Sequence, residues 1–358
     1  MSRYNRNGLP WGSGIGKDVT DCVTSEEVMK KVGLDFFVDK CELVAKMPFS
    51  INTLRNGTAI EDNSDAFSYG GSIYRDCPNA YATYRTDLNV PLGVVKSKYE
   101  VVQNLDAFNF FDEAIGEGKA LWQTAGSFGL GHKIFVTAKL PIVTGLNGHD
   151  PIDNYLVFSN SHDGSTSVNI MFTPIRVICT NMLNGARNSA DTYIRLRHTK
   201  TVKERLEIGS RILKIACEYA KDANQLYASL YKTRMSDDDV MRYVANLQLT
   251  QDEQVLLNAY DPVNGYKRLI NRDFLVQERT GISTRKLNQI IGTFEYYLDG
   301  IGQKEIAGTA WGAYNAVTGF YSNVANLEGE KRMESLCWGT ANRNMSNALN
   351  AAIDFKAA

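Results

Sequence analysis

The sequence lacks the long apolar run that a membrane-spanning helix requires, since no stretch of about 18 or more apolar residues occurs in it. Its first residues, 1–6, lead into polar and glycine residues and not into the apolar segment of a signal peptide. We therefore expect a soluble protein that has no membrane partner and stays in the cytoplasm.

Cysteine and histidine are sparse, with six and four residues respectively in a chain of 358. No Cys-x-x-Cys pair occurs, and no two histidines stand at the helical spacing typical of a metal site. Scattered thiols of this kind are typical of reduced cysteines and not of a disulfide framework. We predict no metal and no cofactor, and we assign no catalytic residue. The residues are Cys22, Cys41, Cys77, Cys179, Cys217, Cys337, His132, His149, His162 and His198.

Net charge is almost absent, because 39 Lys and Arg residues face 40 Asp and Glu residues. The formal charge of −1 creates no molecule-wide field that would attract nucleic acid or an acidic membrane, so any anion site must be a local patch. Hydrophobic residues make up 44% of the chain, which is enough for a core. The length predicts two domains, or one core with a large helical extension.

Two short motifs that suggest ligand sites fail on their spacing. A glycine-rich stretch before Lys17 resembles a phosphate-binding loop, but its glycines are wrongly spaced and Asp18 stands where a hydroxyl should bind magnesium. Glu61, Asp62 and Asp65 show no EF-hand spacing. A flexible arm and a solvated loop explain these two segments.

Short helices and strand-like segments are mixed in the amino-terminal half. Thr24 and Glu27 form the capping-box pattern at the start of a short helix that Gly33 ends. An apolar segment, an Asn-Ser-His-Asp-Gly-Ser turn and a second apolar segment predict a hairpin over 155–172. Hairpins are more evident than strand-helix alternation, so we predict an α+β fold with a mostly antiparallel sheet and a helical carboxy-terminal half.

Three regions are expected along the chain. Residues 1–23 form an irregular arm, residues 24–200 an α+β domain and residues 201–358 a predominantly helical region. Within the second region, the polar residues 52–79 are interpreted as a long loop or lobe. In the third, Ser236 followed by three aspartates marks a helix start. Further helices are predicted at 266–277, 283–298, 304–323 and 340–354.

The strongest signal in the sequence is a basic cluster between positions 170 and 214, which contains nine Lys or Arg and three acidic residues. Part of this charge forms ordinary pairs, since Glu207 with Arg211 and Lys214 with Glu218 stand at i,i+4 on a helix. We predict that five basic residues of the cluster outside these pairs form an anion-binding or nucleic-acid-binding surface. They are Arg176, Arg187, Arg195, Arg197 and Lys200.

Strand geometry sharpens this prediction, because successive side chains of a strand point to opposite faces. One face carries Tyr193, Arg195 and Arg197, and the other carries Ile194, Leu196 and His198. An aromatic ring beside two guanidiniums can stack a base and hold phosphates. In this hypothesis the two arginines neutralise phosphate, the tyrosine stacks, and Arg176 and Lys200 extend the track.

A thiol enzyme is an alternative, because Cys179 can act as a nucleophile if His162 or His198 lies beside it. The sequence gives no distance between these residues. The Val-Ile-Cys segment ending at Cys179 has the composition of a protein core, and the His-Asp-Gly segment starting at His162 that of a turn. Core packing and turn formation are the simpler explanations.

Several segments, in order over nearly the whole chain, resemble one family. They are residues 9–11, 92–95, 99–104, 159–165, 172–177, 197–199 and 308–318. They are similar to the phage and plasmid-like family built around a conserved domain of unknown function (nine-three-two). This resemblance implies a phage or mobile-element protein in a bacterial cytoplasm, near replication and recombination genes. The order of elements is also broadly similar to single-strand annealing recombinases, which form rings or filaments on DNA.

The leading hypothesis is a non-enzymatic homo-oligomer that binds single-stranded DNA in recombination, annealing or replication. The alternative is a structural homo-oligomer without nucleic acid, in which Arg195 and Arg197 pair with acids across an interface. Trp311, Tyr314 and Trp338 would then supply apolar contact. The oligomer number and the choice between DNA and RNA are not fixed by the sequence.

Overall fold

The structure, a computed structural model, describes residues 16–47, 66–69, 72–116, 120–146, 150–176, 181–182, 193–201 and 209–355. Within them the chain forms antiparallel sheets with hairpins in its amino-terminal half and mostly helices in its carboxy-terminal half. The predicted α+β class is confirmed. None of the described helices combines the length and the hydropathy that crossing a bilayer requires.

The described strands form two sheets, of seven and four strands. They are β1 (Lys17–Asp18), β2 (Val38–Met47), β3 (Ala66–Tyr69), β4 (Ser72–Arg85), β5 (Val90–Lys96), β6 (Leu121–Phe128), β7 (Lys133–Leu146), β8 (Asp150–Ser161), β9 (Val168–Arg176), β10 (Asn181–Met182) and β11 (Tyr193–Leu196). The larger sheet has the order β1-β6-β7-β8-β9, and both β10 and β11 pair with β9. In the smaller sheet, β4 pairs with β2, β3 and β5.

Two segments differ from the sequence-based expectations. At the end of the expected arm, Lys17 and Asp18 pair with Ala125 and Thr124, so this short piece is part of the larger sheet. Of the expected long loop or lobe 52–79, the described residues 66–69 and 72–79 form β3 and the first half of β4. Residues 74–79 are mostly polar and lack the apolar alternation that would indicate a strand, and they are exposed or half-buried in the structure.

Several helices of the described residues begin at a side-chain cap. The described helices are α1 (Ser25–Val32), α2 (Asn104–Gly116), α3 (Gly209–Lys232), α4 (Asp237–Asn246), α5 (Gln251–Tyr260), α6 (Gly265–Ile270), α7 (Phe274–Thr280), α8 (Thr284–Asp299), α9 (Ala310–Gly319), α10 (Gly329–Cys337) and α11 (Thr340–Ile353). The Thr24 capping box and the Gly33 left-handed cap of α1 are confirmed, as is the Ser236 cap of α4.

Two predicted helices differ in their bounds. The segment 266–277 is divided between α6 and α7, because Arg272 adopts a φ of 57° and the Asp273 side chain caps α7. The segment 304–323 is helical only from Ala310, where Thr309 caps α9, and it continues as a π-helical turn at Phe320–Val324. The predictions for α8 and α11 agree with the structure within a residue or two.

The larger sheet separates two hydrophobic cores. Ile134, Val136 and Phe158 face the core that contains α1 and α2, which includes Phe108. Side chains that point to the other face of the sheet contact the helical half. They include Phe135 of β7, Tyr155 and Val157 of β8, and Met171 of β9. Because both faces of the central strands are covered, β8 and β9 are buried along nearly their whole length and not only on alternate residues.

Candidate nucleic-acid interface

The predicted alternation along β11 is present in the structure. Arg195 and Arg197 are exposed, whereas Leu196 and His198 are buried and Ile194 is half-buried. Pairing of β11 with β9 fixes this orientation, because it brings Leu196 beside Val168 at the core face. The two guanidinium-bearing side chains therefore lie on the solvent side of the sheet edge.

These two arginines line a groove of about 800 Å³ that four segments of the chain build together. One wall is the end of β5 with the residues after it, and another is the turn of the β8–β9 hairpin, including Gly164 to Ser167. The end of β11 forms the third wall, and Trp338, which follows α10, also lines the groove. Segments far apart in sequence thus form one concave surface.

The groove is positively charged. Lys96 and Lys98 line the same groove as Arg195 and Arg197, and all four residues are exposed. The residues that line the groove belong to described parts of the chain, and no Asp or Glu is among them. Hydroxyl groups of Ser165 and its neighbours in the hairpin turn add hydrogen-bonding capacity. The groove is therefore a local basic site in a chain of formal charge −1.

Close backbone packing holds the hairpin turn against β5. A Cβ atom at Gly93 would lie 2.4–2.8 Å from backbone atoms of Asp163, so only glycine permits this approach. The Thr83 hydroxyl donates to the His162 carbonyl oxygen at 2.6 Å, and the Tyr99 hydroxyl donates to the Ser161 carbonyl oxygen at 2.6 Å. These contacts fix the spacing between two walls of the groove.

His198 belongs to the buried side of the groove wall. Its ring stacks on Tyr99, with 4.4 Å between the ring centroids, and its Nδ1 lies 2.9 Å from the Glu100 carbonyl oxygen. A carbonyl oxygen only accepts, so Nδ1 carries the hydrogen. Burial lowers the pKa of His198, so the ring is neutral near pH 7 and adds no charge to the groove.

His162 is fully buried at the start of the hairpin turn. Its Nε2 lies 2.8 Å from Oδ1 of Asn104, whose Nδ2 donates to the Leu34 carbonyl oxygen. The imidazole is therefore the donor in this contact, and burial lowers its pKa to about 3. The hydrogen bonds of His162 and His198 each join neighbouring segments of the fold, which is a structural role. Cys179, their suggested partner in a thiol site, lies outside the described residues.

The structure places Arg176 elsewhere, and the prediction that it extends the exposed track is corrected. Arg176 is fully buried, and its Nε donates to both oxygens of Asp150 at 2.6 and 2.8 Å. A buried guanidinium already held by a carboxylate does not reach a ligand in solvent. The sequence interpretation missed this because Asp150 lies in another strand, 26 residues away.

The remaining predicted residues divide into two groups. Lys200 is exposed in the turn after β11, next to the groove residue Thr199. Arg187 lies outside the described residues, and Tyr193 belongs to β11 but its side chain is not described. Trp311 and Tyr314, suggested as interface residues in the alternative hypothesis, are fully buried in the helical core.

Sequence reasoning missed Lys96 and Lys98, and it named Trp338 only as an apolar contact of the alternative hypothesis. The two lysines flank Ser97 at the end of β5, and all three residues are exposed, so no alternation singles out the lysines in the way that it singles out Arg195 and Arg197. Nothing in the sequence places this segment beside the end of β11, because the two strands belong to different sheets.

Comparison with known proteins identifies the family. No curated protein and no solved structure matches the chain. Residues 91–352 match the family model described as Domain of unknown function (DUF932). This range contains all four groove segments and extends to the last turn of α11. Because the match covers more than half of the sequence, the chain belongs to the DUF932 family.

Proposed function

We propose that this protein binds single-stranded nucleic acid in the basic groove formed by β5, the β8–β9 turn and β11. The observation that carries the proposal is the convergence of Lys96, Lys98, Arg195 and Arg197 on one concave surface whose described lining includes no acid. Neutralising phosphates with Lys and Arg releases counterions, which supplies sequence-independent affinity. The groove supplies this positive charge locally, although the chain as a whole has a slight negative charge.

An aromatic side chain at the groove supports single strands over duplexes. Trp338 lines the groove beside the basic residues, and an indole ring offers a face on which an unpaired base can stack. Bases inside a duplex are already stacked and are not available for this contact. The hydroxyls of Ser165, Thr166 and Ser167 add donors for phosphate or sugar oxygens.

The test is a fluorescence anisotropy titration of a short labelled single strand with the full chain, repeated over a range of sodium chloride concentrations. Arg195→Ala combined with Arg197→Ala is expected to weaken binding on the order of tenfold or more at moderate salt and to flatten the salt dependence, since each phosphate that is no longer neutralised removes about 0.7 from the log–log slope. Duplex DNA of the same sequence is expected to bind more weakly.

A matched control separates loss of the groove from loss of positive charge in general. Arg279 and Arg343 are exposed and lie outside the groove, so changing both to alanine removes the same charge and is expected to leave affinity nearly unchanged. Equal losses in the two double variants, or binding that does not respond to salt, would reject the groove as the site.

We place this activity, on the resemblance described for the sequence, in a phage or mobile element within a bacterial host, in recombination, annealing or replication. A protein with this role would accelerate pairing of complementary strands. A strand-annealing assay with quenched and labelled oligonucleotides measures that rate, and the Arg195→Ala, Arg197→Ala variant is expected to lose the acceleration. Binding without acceleration would restrict the function to single-strand binding.

A second candidate is a homo-oligomer whose interface contains exposed apolar residues of the helical half. Phe274 and Leu275 of α7 and Val255 and Leu256 of α5 are exposed, and these two helices pack together. Exposed apolar side chains on neighbouring elements are typical of interaction surfaces. Light scattering after size-exclusion chromatography tests it, because Phe274→Asp is expected to dissociate an oligomer formed here and to leave a monomer unchanged.

A further inference from the structure

A second cleft, of about 810 Å³, lies in the helical half and does not include the basic groove. It is bounded by α8 on one side and α11 on the other, with the π-helical turn Phe320–Val324 at its base. Its volume is within the range of pockets that hold small molecules. π-Helical turns are rare and frequently lie at functional sites.

The π-helical turn presents a phenol to this cleft. Tyr321 is mostly buried, and its Oη accepts hydrogen bonds from Asn344 Nδ2 at 2.7 Å and, at the limit of hydrogen bonding, from Gln248 Nε2 at 3.4 Å. Because both amides donate to the oxygen, the phenolic hydrogen is left to be donated elsewhere. Tyr321 is thus a positioned hydrogen-bond donor.

Other polar groups of the cleft are also left as donors. Asn288 Oδ1 accepts from Arg272 Nη1 at 2.9 Å, which turns the NH₂ group of its amide away from that contact. Ser335 Oγ accepts from the Ala341 backbone N–H at 3.2 Å, so its hydroxyl hydrogen remains available. Arg285, exposed on the same face of α8 as Asn288, adds a guanidinium.

Charge and polarity determine the class of ligand. Arg285 is the one ionised side chain among the described residues that line the cleft, and the lining contains no Asp or Glu. Phe320, Val324 and Leu327 supply apolar surface beside the donors. We propose that this cleft binds a small molecule with an apolar or aromatic body and one anionic group, a carboxylate or a phosphate, held by Arg285 and Tyr321. Arginine suits either anion because its planar donors match both geometries.

The test uses two pairs of probes that differ in the anionic group. N-acetylphenylalanine and its amide compare a carboxylate with a neutral group, and adenosine monophosphate and adenosine compare a phosphate with a neutral group. Isothermal titration calorimetry on the full chain is expected to show that the anion of at least one pair binds about tenfold more tightly than its neutral partner. The pair in which the anionic probe binds more tightly than the neutral probe shows whether the cleft selects a carboxylate or a phosphate.

Variants connect the preference to the cleft. Arg285→Gln is expected to abolish the difference between the anionic and the neutral probe, and Tyr321→Phe to reduce it, while Arg279→Gln leaves it unchanged. The Arg195→Ala, Arg197→Ala variant is expected to retain it, which excludes binding in the basic groove. Circular dichroism checks that each variant is folded. Absence of binding by all four probes, equal binding within both pairs, or a preference that survives Arg285→Gln would overturn the proposal.

Discussion

Arg176 and Asp150 form a buried ion pair where β9 ends and β8 begins, and Trp311 Nε1 donates to the same carboxylate at 3.1 Å. Arg176 Nη2 also donates to the Gly302 carbonyl oxygen at 3.0 Å. This ion pair thus connects the ends of β8 and β9 to α9, through Trp311, and to the segment before α9, through Gly302. The helical half is held in register against the sheet by these hydrogen bonds as well as by apolar packing.

Removing the negative member of this pair is expected to destabilise the protein strongly. Asp150→Asn leaves the Arg176 guanidinium buried without a counter-charge, which typically costs about 3–5 kcal/mol. Urea denaturation followed by circular dichroism measures the change. Asp87→Asn is the matched control, because its pair with Arg85 lies at the surface, and little change is expected there. Similar midpoints for the two variants would contradict this assignment of the buried pair.

His162 predicts a pH dependence of stability. Burial lowers its pKa to about 3 in the folded chain, and the nearby His198 adds to the lowering, whereas the unfolded chain titrates near 6.5. Between these values the unfolded state binds a proton that the folded state does not. The free energy of unfolding is therefore not reduced by His162 above pH 6.5. Below that pH it falls as the pH decreases, by up to about 1.4 kcal/mol per pH unit.

Urea unfolding at several pH values between 5 and 7 measures this slope. His162→Gln removes the titrating group but retains a side-chain N–H that can reach Asn104, so its stability is expected to vary less with pH than that of the wild type. The pKa of His198 is also lowered, so part of the slope is expected to remain. Parallel pH profiles for the two proteins would show that His162 is not the source.

Gly93→Ala is expected to damage the groove from within. The added Cβ would meet three backbone atoms of Asp163 at 2.4–2.8 Å, so β5 and the hairpin turn must separate. Overpacking of this kind costs about 1–3 kcal/mol. The midpoint temperature of thermal unfolding and the affinity for a single strand are both expected to decrease.

A suitable comparison is Gly281→Ala, where the added Cβ has open space around it and only the positive φ opposes the change. That variant is expected to lose some stability but to retain its affinity for the single strand. If Gly93→Ala retained full affinity as well, packing of the hairpin turn on β5 would not be needed for the groove.

Lys96 and Lys98 are expected to contribute to binding although sequence reasoning did not select them. Replacing both with alanine removes two cations from the lining of the groove. The slope of log affinity against log salt is expected to fall by about 0.7 for each phosphate that these lysines neutralise, without a change in base preference. Lys267→Ala with Lys304→Ala removes two exposed lysines elsewhere and is expected to change neither quantity. An unchanged slope in the variant that lacks Lys96 and Lys98 would show that these lysines do not contact phosphate.

Much of the architecture could be predicted locally. The Thr24 capping box, the Ser236 cap and the 155–172 hairpin each depend on residues within one turn or one hairpin, and all are present in the structure. The orientation of Arg195 and Arg197 was also predictable, because the alternation of a strand follows from backbone geometry alone.

Sequence alone determined the α+β class, the principal caps and the alternation that leaves Arg195 and Arg197 on the solvent side, since each depends on neighbours along the chain. Only the tertiary structure decided that Arg176 is buried against Asp150 and that Lys96 and Lys98 join the two arginines. Both outcomes depend on which strands and turns lie together in space. The free energy of such contacts comes from burial and from charges brought together across the fold, and neither is encoded in the spacing of residues along one segment.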